Sequence, residues 1–515
     1  MSIVTPEWVK DAVFYQVFPD RFARSGRVHP PGPLEPWDGA PTAHGFKGGD
    51  LYGVVDHLDH LVDLGITALY LNPIFASASN HRYHTYDYFT VDPLLGGNAA
   101  LRELIDACHA RGMKVVLDGV FNHASRGFWP FNHVMECGAG SPYREWFWFN
   151  PEFLDAGRPI EAFPLRDLPP LDHAESPWET RDGSWSFREL GYRAWWDLPA
   201  LPKLNTNNSE VREYLFGVAE HWIRFGADGW RLDVPDQIED DEFWREFRRR
   251  VKAVNPDAYI VAEIWQPRPS VLGGDMYDSL MNYPLGAAAV SFAGSGRIDR
   301  AVADSHAGVG AYVHDDDGPA FARRLVEIMT VYPPEVTAVQ LNLLDSHDTP
   351  RALTICSGDT DAVRIATLVQ MTVPGAPCIY YGDEVGLPGG FDPDCRRTFP
   401  WDRPQEWDRE LLAYVRAAVQ LRHDHPVLRR GSFRVVAAEG PAIAYLLTTE
   451  DAAMIVALNN GEEPVTVELA LAELEGRSLA PVPLPGDPAG LPGAEVLGGR
   501  ATIVIPARSG RVLHA

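Results

Sequence analysis

The sequence has little positive charge, no paired cysteines and no long apolar run. Its 45 Lys and Arg stand against 71 Asp and Glu, which gives a formal net charge of -26. Because a protein that binds nucleic acid needs a basic face to neutralise phosphates, this balance argues against a nucleic-acid partner. It fits a soluble protein with a small neutral or cationic substrate.

The cysteines, the apolar runs and the first residues argue against a disulfide-bonded, a membrane-spanning and a secreted protein. The 5 cysteines are scattered and show no CxxC spacing, so they favour a reducing compartment and indicate neither a disulfide framework nor a zinc site. No apolar run reaches the length of about 18 residues that a membrane span needs. Residues 1–10 lack the basic and then apolar pattern of a signal peptide. We therefore predict a cytoplasmic protein with no membrane partner.

What the sequence does contain is an alternation of short apolar runs with amphipathic stretches. Helical spacing of apolar residues is found at 53–64, 101–111 and 240–254. The predicted strands are 12–18, 67–71, 114–117, 229–232, 259–262, 279–281, 338–344 and 378–381. Strands that alternate with helices predict a parallel sheet, and about eight of them predict the α/β fold class of the (β/α)8 TIM barrel.

Two parts of the chain break this alternation. Residues 124–202 are rich in Pro, Trp, Phe and Arg, and so long a stretch predicts a subdomain inserted after strand 3. Its aromatic residues either form the core of the insert or serve as ligand platforms. After residue 426, short alternating runs predict a C-terminal antiparallel β-sandwich. The predicted domains are the barrel at 1–123 and 203–425, the insert at 124–202 and the sandwich at 426–515.

The segment Gly229-Trp-Arg-Leu-Asp233 carries a charge pair at the end of a predicted strand. Arg231 precedes Asp233 by two residues, so both side chains lie on the same strand face. An arginine beside a carboxylate keeps it ionised, as a nucleophilic carboxylate requires. The alternative is a buried Arg–Asp pair that only stabilises the strand.

Acids follow four of the predicted strands. Since the carboxyl ends of barrel strands form one catalytic face, these acids predict paired-carboxylate chemistry, with one nucleophile or base and one general acid. A metal held by three of the carboxylates with His123 and His347 is the competing interpretation, although no HxH or HExxH spacing supports it. The four acids are Asp118, Asp233, Glu263 and Asp348.

Five motifs in order resemble the α-amylase family of glycoside hydrolases, and within it the cyclomaltodextrinase, neopullulanase and maltogenic amylase group. They lie between about residues 11 and 400, which makes the resemblance very specific. The motifs are Asp118-Gly-Val-Phe-Asn-His123, Leu201-Pro-Lys-Leu-Asn205, Gly229-Trp-Arg-Leu-Asp-Val234, Glu263-Ile-Trp265 and Leu344-Asp-Ser-His-Asp-Thr349.

The resemblance implies roles for the acids. Asp233 matches the family nucleophile, Glu263 the general acid/base and Asp348 the stabiliser of the transition state. The implied mechanism is a retaining double displacement through a covalent glycosyl-enzyme. Asp118 is expected to orient Arg231. Asp233, Glu263 and Asp348 are therefore the predicted catalytic residues of an O-glycosyl hydrolase.

The resemblance also implies substrate contacts. Tyr83 matches an aromatic platform at subsite −1, although by itself it reads more readily as a core residue. Trp265 is expected on the side of subsites +1 and +2. The predicted substrate-binding residues are His81, Tyr83, His123, Arg231, Trp265, His347, Asp392 and Arg396.

The chain departs from the related enzymes in several places. They carry an additional N-terminal domain used in dimerisation, whereas here the barrel is expected to begin almost at once, and no oligomeric state is predicted. No organic cofactor is expected. Calcium stays open, because the usual Asn- and Asp-rich loop is replaced by residues 22–29 and only Asp50 is recognisable. Pro235-Asp236-Gln237 follows the nucleophile in place of Ala-Asn-Glu, and Trp195-Trp196 adds aromatic surface.

The sequence as a whole predicts a retaining α-glucan hydrolase. Its expected substrates are maltooligosaccharides and cyclic or branched dextrins. The expected linkage is α-1,4, and α-1,6 bonds stay open as a second linkage. A glucanotransferase or isomerase on the same scaffold is the alternative, since it differs only in whether water or a sugar hydroxyl attacks the intermediate. A non-catalytic glucan-binding protein has no reason to keep Asp233, Glu263 and Asp348 together.

Overall fold

The computed structural model describes residues 3–165 and 184–515. Their strands, numbered in chain order, form a barrel sheet, a hairpin and two C-terminal sheets. The strands are β1 (Phe14–Val17), β2 (Ala68–Leu71), β3 (Phe75–Ser77), β4 (Thr85–Val91), β5 (Lys114–Gly119), β6 (Gly229–Leu232), β7 (Tyr259–Ala262), β8 (Ser279–Leu280), β9 (Leu341–Leu343), β10 (Ala376–Tyr380), β11 (Ser432–Glu439), β12 (Ala442–Thr448), β13 (Ala453–Asn459), β14 (Val465–Ala470), β15 (Ser478–Val482), β16 (Ala494–Glu495), β17 (Arg500–Ile505) and β18 (Ser509–His514).

The barrel sheet is parallel throughout and has the order β8-β7-β6-β5-β2-β1-β10-β9. A parallel bridge between Met281 and Leu341 joins its two ends, so the sheet closes. All eight predicted strands are present, although several are shorter than predicted. The (β/α)8 TIM barrel predicted from the alternation is therefore confirmed.

Side chains alternate between the inside and the outside of the barrel, as the twofold strand period requires. On β5, Val116 packs in the interior cluster with Tyr259 and Val261, whereas Val115 and Leu117 pack outward against the helices. The inward series continues into polar residues at the carboxyl ends of the strands. Asp118 follows Val116 by two residues and therefore lies on the same inner face of β5. The polar residues of the site thus lie directly above the apolar core of the barrel.

Helices cover the outside of the barrel. Ser209–Phe225 begins where the Asn208 side chain accepts from the backbone N–H groups of Glu210 and Val211, and it ends at Gly226 in the left-handed conformation with φ 118°. The longer helices are Gly97–Ala110, Ser209–Phe225, Asp241–Val254, Tyr283–Ala293, Gly318–Thr330, Thr360–Thr372 and Arg409–Asp424. No helix among the described residues is both long and apolar enough to cross a membrane.

Some local expectations need correction. The helix predicted over 53–64 is two helices, Leu51–Asp56 and Leu58–Leu64, which meet at His57. The strand predicted to run to Leu344 ends at Leu343, so Asp348 lies in the following turn and not at the strand end itself. The hairpin of β3 and β4 was not predicted, because its residues alternate too weakly for a half-buried strand.

The described part of the insert lies against the barrel at the end of β5. An antiparallel bridge joins His123 to Lys203, and a second one joins Phe147 to Leu204. The insert therefore leaves and re-enters the barrel beside the predicted site. The part of the predicted 124–202 subdomain at 166–183 lies outside the described residues, and the predicted domain boundaries stay a prediction.

The C-terminal region is antiparallel. One sheet has the order β11-β12-β13-β18-β15-β16, and β14 pairs with β17 in a second, two-stranded sheet. A buried apolar cluster, which includes Ile455, Val467 and Ile503, draws residues from both sheets. The predicted β-sandwich is confirmed, and it packs on the barrel side through the contact of β11 and β12 with Gly318–Thr330.

Candidate active site

Arg231 is the centre of the charged cluster at the carboxyl ends of β5, β6 and β7. Its Nη1 donates to Asp118 Oδ1 at 2.9 Å and to Asp233 Oδ1 at 3.1 Å, and its Nη2 lies 2.8 Å from Glu263 Oε2. The guanidinium is fully buried. A buried arginine with three carboxylates around it is stable only because these ion pairs offset its desolvation.

Asp233 and Glu263 differ in how their oxygens are held. Glu263 accepts from the backbone N–H of Val234 at 3.1 Å and from Trp265 Nε1 at 3.2 Å, in addition to its ion pair with Arg231. Asp233 uses only Oδ1, and its buried Oδ2 has no hydrogen-bond partner. One carboxyl is therefore held at both oxygens, whereas the other keeps one oxygen free.

The backbone at Val234 is strained. This β-branched residue has φ 36°, in the left-handed region that such side chains rarely adopt. The N–H of the same residue donates to Glu263 Oε2. Strain beside the two carboxyls is typical of functional positions, where surrounding structure enforces it.

Burial controls protonation at this centre. It raises the pKa of Glu263 to about 7, with the charge of Asp348 adding to the rise and Arg231 opposing it. Burial also raises the pKa of Asp233 well above its ordinary value, against the opposing charge of Arg231. Burial therefore favours the protonated form of a carboxyl in this pair, which is what a general acid requires.

Asp348 reaches the site from the turn after β9. Its Oδ1 accepts from Arg396 Nη2 at 3.3 Å, and Arg396 Nη1 lies 2.9 Å from Asp392 Oδ1. Burial raises the pKa of Asp348, but His347, Arg396 and Arg231 outweigh it and leave the pKa below its usual value. Asp348 is therefore ionised at neutral pH, and Arg396 links it to Asp392.

A hydrogen-bonded chain crosses the barrel mouth from β1 to β5. Gln16 Nε2 donates to His347 Nδ1 at 2.9 Å, which puts the His347 proton on Nε2, 2.6 Å from the Tyr83 hydroxyl. Tyr83 in turn donates to Asp118 Oδ2 at 3.0 Å, and its ring stacks on His347 with an interplanar angle of 3°. Tyr83 is thus fixed by its hydroxyl and by its ring.

The histidines of the site are uncharged. Burial lowers the pKa of His347 and of His123 to about 3, and it lowers the pKa of His81 well below its ordinary value. His81 Nδ1 accepts from the backbone N–H of Tyr83 at 3.2 Å. A neutral imidazole can donate from one nitrogen and accept at the other, so these residues suit sugar hydroxyls.

His123 combines a buried ring nitrogen that has no hydrogen-bond partner with an aromatic stack. Asn122 Nδ2 lies 3.3 Å from His123 Nδ1, and His123 Nε2 is buried without a partner. The ring stacks on Trp195 at 4.8 Å, and Trp195 stacks on Trp196 at 4.6 Å, with an interplanar angle of 15° in each pair. We refer to His123, Trp195 and Trp196 as the Trp196 stack.

A second stack lies beside Glu263. Trp265 is nearly parallel to Tyr283 at 3.9 Å and to His306 at 5.0 Å. Two rings cannot lie this close on one face of an indole without overlapping each other, so they cover opposite faces. A Cβ atom at Gly308 would lie 3.0 Å from the indole edge, which shows how closely the loop approaches it. We refer to Tyr283, Trp265 and His306 as the Trp265 stack.

The structure gathers the predicted residues at the carboxyl ends of the barrel strands. Asp233 and Glu263 pair with Arg231, and Trp265 donates to Glu263. Tyr83, His81 and His347 join through the contacts described above, as do Asp348, Arg396 and Asp392, whereas His123 packs on Trp195. Gln16, the Val234 N–H, Tyr283 and His306 were not predicted. Only Gln16 had a usable signal, as a polar residue with period-two spacing inside the first strand, whereas the other contacts depend on loop geometry.

The region where related enzymes carry a calcium loop is held together by hydrogen bonds. Asp50 Oδ1 accepts from the backbone N–H of Gly53 and caps the helix Leu51–Asp56, while Oδ2 accepts from Ser25. Both oxygens are therefore used by the protein itself. In the part of the chain that the structure describes, no group of three or more His, Cys, Asp or Glu side chains is arranged as a metal site.

Comparisons with known proteins agree with this geometry. The family model described as "Alpha amylase, catalytic domain" matches residues 16–431. A cyclomaltodextrinase of Geobacillus thermopakistaniensis is 41% identical over 470 residues, which are 90% of this chain and 71% of that protein. Neopullulanase 2 of Thermoactinomyces vulgaris is 41% identical over 92% of this chain and 73% of its own length.

A solved structure covers the whole chain. The Nostoc punctiforme debranching enzyme superposes with a TM-score of 0.85 at 42% sequence identity, and the match covers 100% of both chains. The barrel, the insert and the C-terminal sheets therefore occur together in that protein as they do here.

Proposed function

The chain belongs to the α-amylase family of glycoside hydrolases, and from this premise we propose that Asp233, Glu263 and Asp348 carry out the retaining hydrolysis of α-glucosidic bonds. The observation that carries the proposal is the shared guanidinium of Arg231, which holds Asp233 and Glu263 together and leaves Asp233 Oδ2 free. Two carboxyls on one guanidinium lie close together. That arrangement favours retention, for which carboxyl groups stand about 5–5.5 Å apart.

In the first step, Asp233 Oδ2 attacks the anomeric carbon while Glu263 donates its proton to the glycosidic oxygen. The bond to the leaving sugar breaks and an ester to Asp233 forms. Positive charge develops at the anomeric carbon, and it favours the ionised form of the adjacent Asp233. The proton therefore belongs on Glu263 in the reacting complex.

In the second step, Glu263 takes a proton from water, and the water oxygen attacks the same carbon. The ester breaks, Asp233 is released as a carboxylate and Glu263 regains its proton. Each step inverts the anomeric carbon, so the two together retain its configuration. Asp348 is ionised and lies across the site, where it holds sugar hydroxyls as charge develops.

We assign the substrate contacts to His81, Tyr83, His123, Arg231, Trp265, His347, Asp392 and Arg396. His123 Nε2 is buried and has no hydrogen-bond partner, and this supports a hydroxyl contact, because a buried polar atom without a partner is costly until a ligand satisfies it. Tyr83 is locked parallel to His347 and offers a flat face to a glucosyl ring. The Arg396 guanidinium between Asp348 and Asp392 sets the limit of the site on that side.

The substrates we propose are maltooligosaccharides and cyclic or branched dextrins. The relatives named cyclomaltodextrinase and neopullulanase and the debranching enzyme support α-1,4 bonds and, in addition, α-1,6 bonds. We propose that the reaction takes place in the cytoplasm and needs no organic cofactor. Every step above uses side chains and water alone.

Timed product analysis tests the proposal. Equal amounts of maltohexaose, a cyclodextrin, pullulan and panose are incubated with the enzyme, and the anomer first released is identified by NMR. We expect shorter linear products that first appear as the α-anomer. First appearance of the β-anomer would contradict retention.

The same experiment separates hydrolysis from transfer. Ring opening with accumulation of maltose would place the chain with the cyclomaltodextrinases. Longer or α-1,6-linked products with little ring opening would show a glucanotransferase, and Pro235-Asp236-Gln237 would be the first segment to exchange. Asp233→Asn serves as the control for contaminating activity.

A further inference from the structure

We propose that Trp196 is a binding platform for a glucosyl unit remote from the bond that is cleaved. The proposal rests on the function proposed above, and it adds a site that this function does not require. It starts from two observations that concern the same residue, its place at the end of the Trp196 stack and its backbone conformation.

The stack has one closed and one open end. His123 and Trp196 both lie parallel to Trp195 within 4.8 Å, so they cover its opposite faces. Trp195 therefore has no face left for a sugar. Trp196 has one face covered by Trp195, yet the residue is only half-buried, and among the described residues Trp195 is the one ring that stacks on it.

The backbone holds Trp196 in an unfavourable conformation. Trp196 has φ 51° and Asp197 has φ 55°, and two consecutive residues with side chains in the left-handed region are rare. Such conformations persist only where the surrounding structure enforces them, and they are concentrated at ligand clamps. Burial of an apolar side chain does not account for the strain, because Trp196 stays partly exposed.

Hydrogen bonds fix this segment to the barrel mouth. Asp197 Oδ1 accepts from the backbone N–H of Ser186 at 2.7 Å, and the Trp195 N–H donates to the Leu201 carbonyl at 2.8 Å. The chain then passes through Lys203, which is bridged to His123. These contacts hold the segment that carries Trp196 in a fixed position relative to His123, which is the histidine proposed to contact the substrate.

The geometry determines which part of a substrate can reach Trp196. Rings in contact are about 3.5–4.0 Å apart, so a sugar on the outer face lies on the order of 10 Å from His123. A single glucosyl unit cannot touch both. Trp196 therefore contacts only substrates of several units, and the apolar C–H face of a glucosyl ring is the chemical group that an indole face fits.

Chain-length dependence tests the platform. Kinetics on maltotriose and maltoheptaose are compared for the wild type and Trp196→Ala. We expect the loss of kcat/KM on maltoheptaose to exceed the loss on maltotriose by about threefold to tenfold, mainly through KM, as one lost aromatic contact predicts. Trp196→Tyr keeps a flat ring and should recover most of the loss.

The matched control is Trp129→Ala, which removes another tryptophan of the insert that is 46% exposed and lies outside the stack. This variant should show no dependence on chain length. Melting temperatures of all variants identify any that fail to fold. An equal loss on both substrates, or no loss on maltoheptaose, would overturn the platform.

A second readout does not need turnover. Calorimetry measures the binding of maltoheptaose to Asp233→Asn with and without Trp196→Ala. We expect about threefold to tenfold weaker binding in the double variant. If the wild type hydrolyses neither oligosaccharide, the proposed function fails, whereas equal binding by the single and double variants contradicts the platform alone.

Discussion

The charged centre and the two aromatic stacks around it are built in different ways. Arg231, Asp118 and Asp233 stand on barrel strands or directly after them, where neighbouring strands fix the backbone on both sides. The residues of the two stacks lie outside the barrel strands, in loops, in a short turn and at the start of the helix Tyr283–Ala293, and Trp196 has a left-handed backbone. The barrel holds the charges, and the loops hold the flat surfaces.

This difference follows from what each group must do. A carboxylate that attacks or donates a proton has to lie within a few tenths of an ångström of its target, and parallel strands provide that precision. A ring that stacks on a sugar tolerates small shifts, because dispersion contacts are many and individually weak. Loops can therefore vary the substrate without disturbing the chemistry.

The largest effect should come from the charged centre. Asp233→Asn removes the attacking oxygen but keeps the size of the side chain and leaves Arg231 paired with Asp118 and Glu263. We expect kcat on maltohexaose to fall by about 10⁴-fold or more, as for the loss of other enzyme nucleophiles. Binding of maltohexaose by calorimetry should persist, because the stacks are unchanged.

Near-native turnover by Asp233→Asn would contradict the assignment of the nucleophile. Loss of both turnover and binding, with an unchanged melting temperature, would show that the charged centre and the aromatic surfaces are not separable. Loss of both would contradict the division of roles between the charged centre and the aromatic stacks, but it would leave Asp233 as the nucleophile.

The same division explains what the sequence predicts. Asp118, Asp233 and Glu263 were found because each follows a predicted strand, and Arg231 because the strand period of two places it on the same face as Asp233. The alternation of strands and helices identified the barrel, and five motifs in order identified the family resemblance. The Trp265 stack was not predicted, since Tyr283 and His306 are distant in sequence from Trp265 and only the folded chain brings them to it.

Some contacts of the site depend on backbone conformation, which the residue types do not reveal. The N–H of Val234 donates to Glu263 from a residue with φ 36°, and valine is a residue that a sequence-based argument would keep out of that region. Similarly, Asp348 was expected at a strand end, but a turn carries it back to Arg396. Loop conformation is set by tertiary contacts, so local sequence does not determine it.

The second largest effect concerns Glu263 and depends on the leaving group. Glu263→Gln cannot donate a proton, so we expect kcat on maltohexaose to fall by about 10²- to 10⁴-fold. A maltosyl fluoride needs no proton to release its fluoride. Its first step should proceed and then stall at the ester, because Gln cannot activate water, and a burst of one fluoride per enzyme should be measured.

If the fluoride burst is slowed as much as the turnover of maltohexaose, Glu263 does more than transfer protons. Retained turnover of maltohexaose would mean that another group is the acid. In either case the residues at the strand ends would not have the purely chemical role that we assign to them.

The smallest effect should arise where the two regions meet. Trp265 belongs to a stack, yet its Nε1 donates to Glu263 Oε1 at 3.2 Å and thereby favours the charged form of the acid. Trp265→Phe keeps the flat ring between Tyr283 and His306 but loses this donor. Trp265→Phe therefore tests whether Trp265 positions Glu263. The measurement is the pH profile of kcat/KM.

The direction of the shift follows from which form is active. Cleavage needs protonated Glu263, whose pKa burial raises to about 7, so the wild-type rate should fall as the pH rises through about 7. Loss of a donor to the charged form raises that pKa further, and the alkaline limb of Trp265→Phe should move to higher pH by at most about one unit. Trp129→Phe, remote from Glu263, should leave the limb in place. A limb that stays fixed or moves to lower pH would show that Trp265 does not position the acid, and its stack would then belong wholly to the recognition surfaces.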